Sequence, residues 1–179
     1  LRGVEGDAAN NYFSVFNHLI LGKNFVFKER NRRPPKDPVN AMLSFVYTLL
    51  ANECAAALET VGLDPYVGFM HTLRPGRASL ALDLMEEFRA YLGDRLVFTL
   101  INRNQVSSKD FKNQGEESVI MTDSCRKQII TSWQSRKKEE ITHPYLKEKI
   151  SVGLLPYAQA MLLARYLRGD LDDYPVFLI

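Results

Sequence analysis

The sequence predicts an all-α protein in which several helices pack around one central buried helix. Three observations predict this class. Apolar residues recur every three or four positions in successive segments, the segment from residue 38 to residue 61 is apolar on most of its circumference, and 46% of the 179 residues are hydrophobic. A chain of this length and composition can bury a core of its own, so we interpret residues 1–179 as one domain.

The first predicted helix extends from about Val4 to Leu21, where Gly22 follows as a stop signal. Its apolar positions follow helical spacing and are Val4, Ala8, Tyr12, Val15, Phe16 and Leu19. Glu5 falls in the first turn, where a carboxylate offsets the partial positive charge of the helix N-terminus. Spacing alone therefore gives Glu5 a structural role.

A proline-rich basic segment comes next, from Lys28 to Pro38, with five basic residues and three prolines. Proline cannot continue a helix, so we expect an extended and exposed loop. Its side chains, Arg32 and Arg33 among them, either follow DNA phosphates or belong to a solvated linker. The sequence leaves both interpretations open.

The central helix is predicted between two boundary signals. Asp37 and Pro38 provide an N-cap and a first helical residue, and Gly62 provides a left-handed stop. Polar residues cross its apolar run, which argues for a buried helix and against a membrane span. They are Ser44, Thr48, Asn52 and Glu53. We expect Glu53 to pair with an arginine or to be partly exposed, because an uncompensated buried carboxylate is costly.

A histidine and several carboxylates lie in the stretch from residue 68 to residue 89. His71 is on a loop, and a predicted helix at 79–92 follows, with Asp83 and Glu86 on its polar face. Imidazole with carboxylates is a reasonable ligand set for a divalent ion, and it suits Mn²⁺ somewhat better than Mg²⁺. Spacing alone favours the alternative, in which the same carboxylates, with Glu87, form the solvated face of an amphipathic helix and His71 is an ordinary loop or cap residue.

The remaining elements are predicted from the same signals of period, turn and helix breaking. They are a helix at 94–104, a polar loop at 105–117, a short extended piece at 118–121, a helix from Asp123, a long helix at 145–168 kinked at Gly153 and Pro156, and an extended strap at 170–179.

Composition excludes several classes of function. The 23 basic and 21 acidic residues give a net charge of +2, so the total charge predicts no nucleic-acid partner. Two cysteines are too few for a disulfide framework or a cysteine-rich zinc site, which favours the reducing cytoplasm. The sequence contains no Gly-rich phosphate loop, Gly-x-Ser-x-Gly motif or signal peptide. It starts at Leu1 instead of methionine, so we expect a fragment that lacks an upstream part.

Three ordered segments carry a resemblance to a known family. They are Leu1-Arg2-Gly3-Val4-Glu5-Gly6, then Asp37-Pro38-Val39-Asn40-Ala41-Met42-Leu43-Ser44, then Gly62-Leu63-Asp64-Pro65 through Gly68-Phe69-Met70-His71 to the helix at 80–89. Together they resemble the CRISPR-associated integrase, the metal-dependent nuclease that inserts new spacers into CRISPR arrays. Residues 166–175 are also similar to subtype I-C members of that family.

The resemblance implies a catalytic site that uses Mn²⁺ or Mg²⁺. Glu5, His71 and Glu86 match the metal ligands of the family, and Asp83 matches an acidic position that supports the site. Because many relatives have Asp as the third ligand, the direct contact is open between Glu86 and Asp83. The implied reaction is attack of a 3′-hydroxyl on a phosphodiester. The candidate contacts to the DNA backbone are Arg32, Arg33, Arg74 and Arg77.

The resemblance also implies partners. These are DNA, as spacer precursor and CRISPR repeat, a second copy of the full-length protein, and the small CRISPR adaptation subunit, with no membrane and a cytoplasmic location. The N-terminal β domain of the family, which helps to build the homodimer, is expected to be absent from this chain. From the residues alone, two other classes stay open: a non-catalytic helical module that binds nucleic acid, and a purely structural subunit.

Overall fold

The computed structural model describes residues 2–22, 24–115 and 118–178, without the side chains of Arg2 and Glu5. Helices dominate this part of the chain and the strands are short, which confirms a mostly helical fold. The helices are α1 (Arg2–Ser14), α2 (Pro38–Thr60), α3 (Ser79–Glu86), α4 (Arg95–Asn102), α5 (Asp123–Lys137) and α6 (Leu155–Leu167). The strands are β1 (Phe111–Asn113), β2 (Val119–Met121), β3 (Glu140–Thr142) and β4 (Lys149–Ser151).

The chain forms two compact units. The first contains Leu1–Val46 and Asp94–Thr131, and the second contains Tyr47–Gly93 and Ser132–Ile179. Both α2 and α5 contribute residues to each unit. The interpretation of residues 1–179 as one domain stays a prediction.

In the first unit, α1 ends earlier than the sequence predicts. The expected helix to Leu21 stops at Ser14, and a short 3₁₀ turn, Phe16–Leu19, follows. The reason is aromatic packing, because this turn brings the buried ring of Phe16 to 4.7 Å from Phe27 and 4.5 Å from Phe98, measured between ring centroids. Tertiary contacts have outweighed the helical period of the sequence.

The central helix α2 begins and ends as predicted. The side chain of Asp37 accepts a hydrogen bond from the Asn40 amide at 2.8 Å, and Gly62 adopts a left-handed φ of 82° after the helix. By length and composition alone this helix could cross a membrane, but half of its apolar window is buried inside the protein. The buried apolar positions follow helical spacing and include Val39, Met42, Leu43, Val46, Leu50, Cys54 and Leu58.

The basic segment has no helix or strand at residues 28–37, as predicted, and its last residue, Pro38, begins α2. The guanidinium of Arg30 donates to Asn40 Oδ1 at 2.7 Å, and the Pro35 carbonyl accepts from the Val119 amide at 2.9 Å. Two points therefore tether the loop to the first unit. Arg32 and Arg33 lie between them and are exposed.

The polar loop predicted at 105–117 is wrong in part, because β1 lies within it. β1 pairs with β2 in an antiparallel hairpin, with Phe111 opposite Met121. Ser107 and Asp110 form a capping box just before β1, and the ring of Phe111 packs edge-on against Phe25 at 5.9 Å. The extended piece predicted at 118–121 is confirmed as β2.

In the second unit, the long helix predicted at 145–168 is also wrong in its first half. β4 lies there and pairs with β3, which precedes the predicted helix, in an antiparallel hairpin, and α6 begins only at Leu155. The backbone reverses through Lys147, which has a φ of 59°, and this left-handed residue cannot belong to a continuous helix. Pro156 then occupies the first turn of α6, where its missing amide costs nothing.

The side chain of Glu53 on α2 is 27% exposed, which confirms the predicted partial exposure, and it also has two partners. Its Oε1 accepts hydrogen bonds from Trp133 Nε1 at 2.9 Å and from Lys137 Nζ at 2.6 Å, both on α5. The expected arginine partner is therefore a lysine. The carboxylate serves to join α2 to α5 within the second unit.

Candidate metal centre

The loop that carries His71 is held by one carboxylate of α3. Asp83 Oδ2 accepts hydrogen bonds from the backbone amides of Phe69 at 2.6 Å and Met70 at 3.0 Å. Asp83 Oδ1 accepts a third from the His71 amide at 3.0 Å. Three consecutive amides thus converge on one side chain, which fixes the backbone of the loop against α3.

The imidazole of His71 is oriented by the same carboxylate. Its Nδ1 lies 2.5 Å from Asp83 Oδ1, so Nδ1–H donates to the carboxylate, and in the neutral ring the lone pair is on Nε2. Burial alone would raise the pKa of Asp83, but the hydrogen bonds from the His71 ring and from the loop amides outweigh it and lower the pKa. The side chain of His71 is 19% exposed. A carboxylate that orients a histidine and leaves Nε2 available is the usual support of a metal-binding imidazole.

Gly68 allows the loop to approach α3 this closely. A Cβ atom at this position would lie 2.7 Å from Ser79 Cβ and 2.8 Å from Asp83 Oδ2, well inside van der Waals contact. Only glycine fits without a shift of the backbone. The glycine three positions before His71 therefore has a steric cause.

Glu86, the third residue of the predicted ligand set, has a side chain that is 36% exposed. Both of its oxygens accept from Arg89 Nη1, at 2.9 and 2.7 Å. The guanidinium of Arg89 also lies 4.7 Å from the ring centroid of Tyr47. Burial alone would lower the pKa of Arg89, but Tyr47 and Glu86 raise it overall, so the group stays protonated.

Sequence reasoning missed Arg89 as part of this arrangement. The signal was present, because residues three positions apart on a helix face each other and Glu86 precedes Arg89 by three. Arg89 orients the Glu86 carboxylate and balances its charge.

Glu87 does not belong to a solvated face. It accepts hydrogen bonds from the Tyr174 hydroxyl at 2.5 Å, from Gln159 Nε2 at 2.7 Å and from the Phe177 amide at 2.8 Å. Burial raises the pKa of Glu87, and the three donors offset part of this effect. The solvated-face interpretation is therefore wrong for Asp83 and Glu87, whose oxygens are used inside the protein. Glu86 is the most accessible carboxylate of the three.

The structure describes the side chains of only two of the three predicted ligands, His71 and Glu86. Glu5 belongs to α1, but its side chain lies outside the described part of the chain. Among the side chains that are described, no three His, Cys, Asp or Glu residues form a cluster suited to a metal ion. Glu5, His71 and Glu86 as joint ligands therefore stay a prediction.

The predicted DNA contacts lie in two separate loops. Arg32 and Arg33 are exposed in the basic segment of the first unit, whereas Arg74 and Arg77 are in the second unit, on the segment between His71 and α3. Arg74 is exposed and Arg77 is half-buried. Their contact with DNA stays a prediction.

The comparisons with known proteins identify the class to which this fold and sequence belong. The family model described as CRISPR associated protein Cas1 matches residues 1–135. This chain belongs to the Cas1 family.

Among its relatives, the CRISPR-associated endonuclease Cas1 1 of Chlorobaculum tepidum is 57% identical over 99% of this chain. The CRISPR-associated endonuclease Cas1 of Leptospira interrogans is 54% identical, also over 99% of this chain. The alignments cover 52% of the Chlorobaculum protein and 70% of the Leptospira protein. This chain therefore spans about half the length of the first of these relatives.

Solved structures share the fold. A casposase bound to integration product superposes with a TM-score of 0.87 at 29% identity, over 98% of this chain and 50% of that one. A CAS1 protein from Thermotoga maritima gives 0.84 at 29% identity, over 93% and 51%. The Cas6-RT-Cas1–Cas2 complex gives 0.84 at 28% identity, over 98% of this chain and 19% of that one.

Proposed function

We propose that this chain is the catalytic, α-helical domain of a nuclease and integrase that inserts new spacers into CRISPR arrays. Relatives at more than half identity are named endonucleases, and a casposase bound to integration product has the same fold. The similarity of residues 166–175 to subtype I-C members makes that subtype our proposal as well. The β domain of the family would belong to the part of the relatives that this chain does not span.

The observation that carries the proposal is the orientation of His71 by Asp83. Nδ1 is engaged at 2.5 Å, and Nε2 is left with the lone pair that a metal ion needs. This donor chemistry fits Mn²⁺ or Mg²⁺ with Glu5, His71 and Glu86 as ligands. It also favours Glu86 over Asp83 for direct contact, because the Asp83 oxygens already accept four hydrogen bonds.

The chemistry proposed is transesterification of DNA. The 3′-hydroxyl of the incoming strand attacks a phosphodiester of the repeat, a new P–O bond forms, and the 3′-oxygen of the cut strand leaves with a proton. One such bond replaces another, so the reaction needs no external energy source. When bound, the divalent ion would supply charge neutralisation at the phosphoryl oxygens and activation of the hydroxyl or of water.

The residues of this chain would hold and orient the reactants. Asp83 keeps the ring of His71 in one tautomer, and Arg89 holds the Glu86 carboxylate in one direction. The arginines of the two loops would neutralise DNA phosphates and keep the attacked phosphate in place. Those arginines are Arg32, Arg33, Arg74 and Arg77.

The proposed partners follow from the family. They are the spacer precursor and the CRISPR repeat, a second copy of the full-length protein, and the small adaptation subunit, in the cytoplasm and without a membrane. Cas1–Cas2 complexes among the structural neighbours support an adaptation subunit as partner. Since integration at both ends of a repeat needs two sites, we expect this chain alone to join one end far better than two.

A second candidate is a non-catalytic module that binds nucleic acid. The exposed position of Arg32 and Arg33 on a tethered loop favours it, because phosphate contacts need charge and exposure but no metal. The two candidate functions differ in whether the protein needs His71, since only the catalytic function requires a metal ligand.

The test is a strand-transfer and cleavage assay on branched DNA with Mn²⁺. His71→Ala should reduce Mn²⁺-dependent activity at least about 100-fold. Loss of a residue that only supports a metal ligand costs up to about 100-fold, and loss of a ligand itself should cost no less. Circular dichroism should show unchanged helicity. The exposed His18 is the matched control, and His18→Ala should keep full activity. Wild-type DNA binding without any Mn²⁺-dependent strand transfer would instead establish the binding module.

A further inference from the structure

The strap, residues 170–178, is fastened to α3 through Glu87. Tyr174 donates its hydroxyl to Glu87 Oε1 at 2.5 Å, and the Phe177 amide donates to Glu87 Oε2 at 2.8 Å. The carboxylate thus receives one side-chain donor and one backbone donor from the same short segment. We call this contact the clamp.

Gln159 on α6 completes the clamp. Its Nε2 contacts Glu87 Oε2 at 2.7 Å, the Tyr174 hydroxyl at 2.9 Å and the Pro175 carbonyl at 3.1 Å. Its Oε1 lies 3.1 Å from Nε2 of the buried His143. Gln159 is itself fully buried, so these polar groups satisfy one another away from solvent.

Phe177 gives the strap an apolar anchor. Its buried ring lies with its centroid 5.4 Å from that of Phe88, two residues after α3, and 5.9 Å from that of Tyr91, in the π-helical turn Arg89–Asp94 that follows. Its centroid is also 5.8 Å from the His143 ring. The strap therefore grips the end of α3 by both apolar packing and hydrogen bonds.

The clamp and the loop that carries His71 attach one turn apart, at the C-cap and in the second half of a very short helix. α3 has eight residues, too few to be stable without tertiary contacts. Asp83 and Glu87 are four positions apart and lie along the same side, one turn from each other. Asp83 binds the loop that carries His71, and Glu87 binds the strap. Glu86 lies between these two attachments in sequence.

We propose that Glu87 and Tyr174 are positioning residues for the candidate metal centre, acting through α3 on His71 and Glu86. The inference rests on the proposed function, in which His71 and Glu86 bind the ion. If the clamp loosens, the end of α3 shifts, and the Asp83 carboxylate no longer fits the three amides of the loop. A purely structural clamp would lower stability without affecting the loop or the metal affinity.

The experiment uses Tyr174→Phe, which removes the hydroxyl and keeps the ring. Tyr157→Phe on α6 is the control, since Tyr157 is 38% exposed. Hydrogen exchange is measured at the amides of residues 69–71, which bind Asp83 one turn before Glu87. We expect exchange there to be at least about fivefold faster in Tyr174→Phe, because the hydrogen bond that the hydroxyl donates to Glu87 and the one that it accepts from Gln159 are both lost. Tyr157→Phe should exchange as wild type.

The second readout is Mn²⁺ affinity, measured by electron paramagnetic resonance at a temperature where circular dichroism shows a fully folded protein. The Kd of Tyr174→Phe should rise about three- to tenfold, and excess Mn²⁺ should restore strand transfer. Unchanged exchange at 69–71 together with an unchanged Kd would overturn the positioning role, even if thermal stability fell. Failure of the wild type to bind Mn²⁺ would overturn the proposed function itself, which separates the two results.

Discussion

At residue 68 the histidine loop and α3 come so close that only a hydrogen atom fits as a side chain. The added Cβ of alanine would lie 2.7 Å from Ser79 Cβ and 2.8 Å from Asp83 Oδ2. The sequence contains the motif Gly68-Phe69-Met70-His71, and the resemblance relates it to a metal site, but neither explains why residue 68 is glycine. The reason depends on the tertiary approach of loop and helix.

We predict that Gly68→Ala lowers the free energy of unfolding by about 1–3 kcal/mol, because a methyl group is forced into packed space. Urea unfolding followed by circular dichroism measures the change. Gly3→Ala is the control, since a Cβ there meets nothing within 4 Å and alanine favours a helix. Equal stability of the two variants would show that the loop does not need its close approach.

The three carboxylates on α3 and its C-cap, Asp83, Glu86 and Glu87, show which roles of single residues the sequence predicts and which it does not. Helical spacing correctly placed Asp83 and Glu86 on one side of the helix. It did not distinguish a carboxylate that accepts loop amides from one that faces solvent, because the distinction depends on segments distant in sequence. The partners of Glu87 lie at Gln159, Tyr174 and Phe177, more than 70 positions away.

Among the elements, those with local boundary signals were predicted well. α2 begins after the Asp37 cap and ends before Gly62, and both signals act within one turn of the helix. Apart from β2, the strands of the two hairpins were missed, because they have three residues each, too few to show a period. The helical period before Leu21 was real, but aromatic packing of Phe16 overrode it.

For the basic segment we predict how its charge affects DNA binding. Reversing both charges, Arg32→Glu with Arg33→Glu, should weaken DNA binding similarly for all sequences and reduce the slope of log K against log salt by about 2, since two phosphate contacts are lost. Fluorescence anisotropy at several salt concentrations measures both quantities.

The control for that experiment carries the same change of net charge elsewhere. Lys147 and Lys149 are exposed on the β3–β4 hairpin, and their double reversal to Glu should leave the salt slope nearly unchanged. An equal loss of affinity in both double variants would mean that total charge, and not the loop, attracts DNA.

For the whole molecule, the ordered motifs predicted family membership, and the family match over residues 1–135 confirms it. Each motif is short, but their order along the chain is specific. Periodicity, charge and composition alone could not have reached the same conclusion, since they describe any helical protein of this size. They left Glu5 as a helix-terminus carboxylate, and only the resemblance predicts that it is a metal ligand.

The central claim is that His71 binds a divalent ion together with Glu5 and Glu86. Pulsed electron paramagnetic resonance of bound Mn²⁺ tests it directly, because a coordinated imidazole produces a ¹⁴N modulation that carboxylates and water do not. The sequence has three histidines, His18, His71 and His143, which allows each to be removed in turn. We predict that the wild type and His18→Ala show the modulation of one imidazole and that His71→Ala loses it. A modulation that persists in His71→Ala, or that is missing from the wild type with Mn²⁺ bound, would contradict the account.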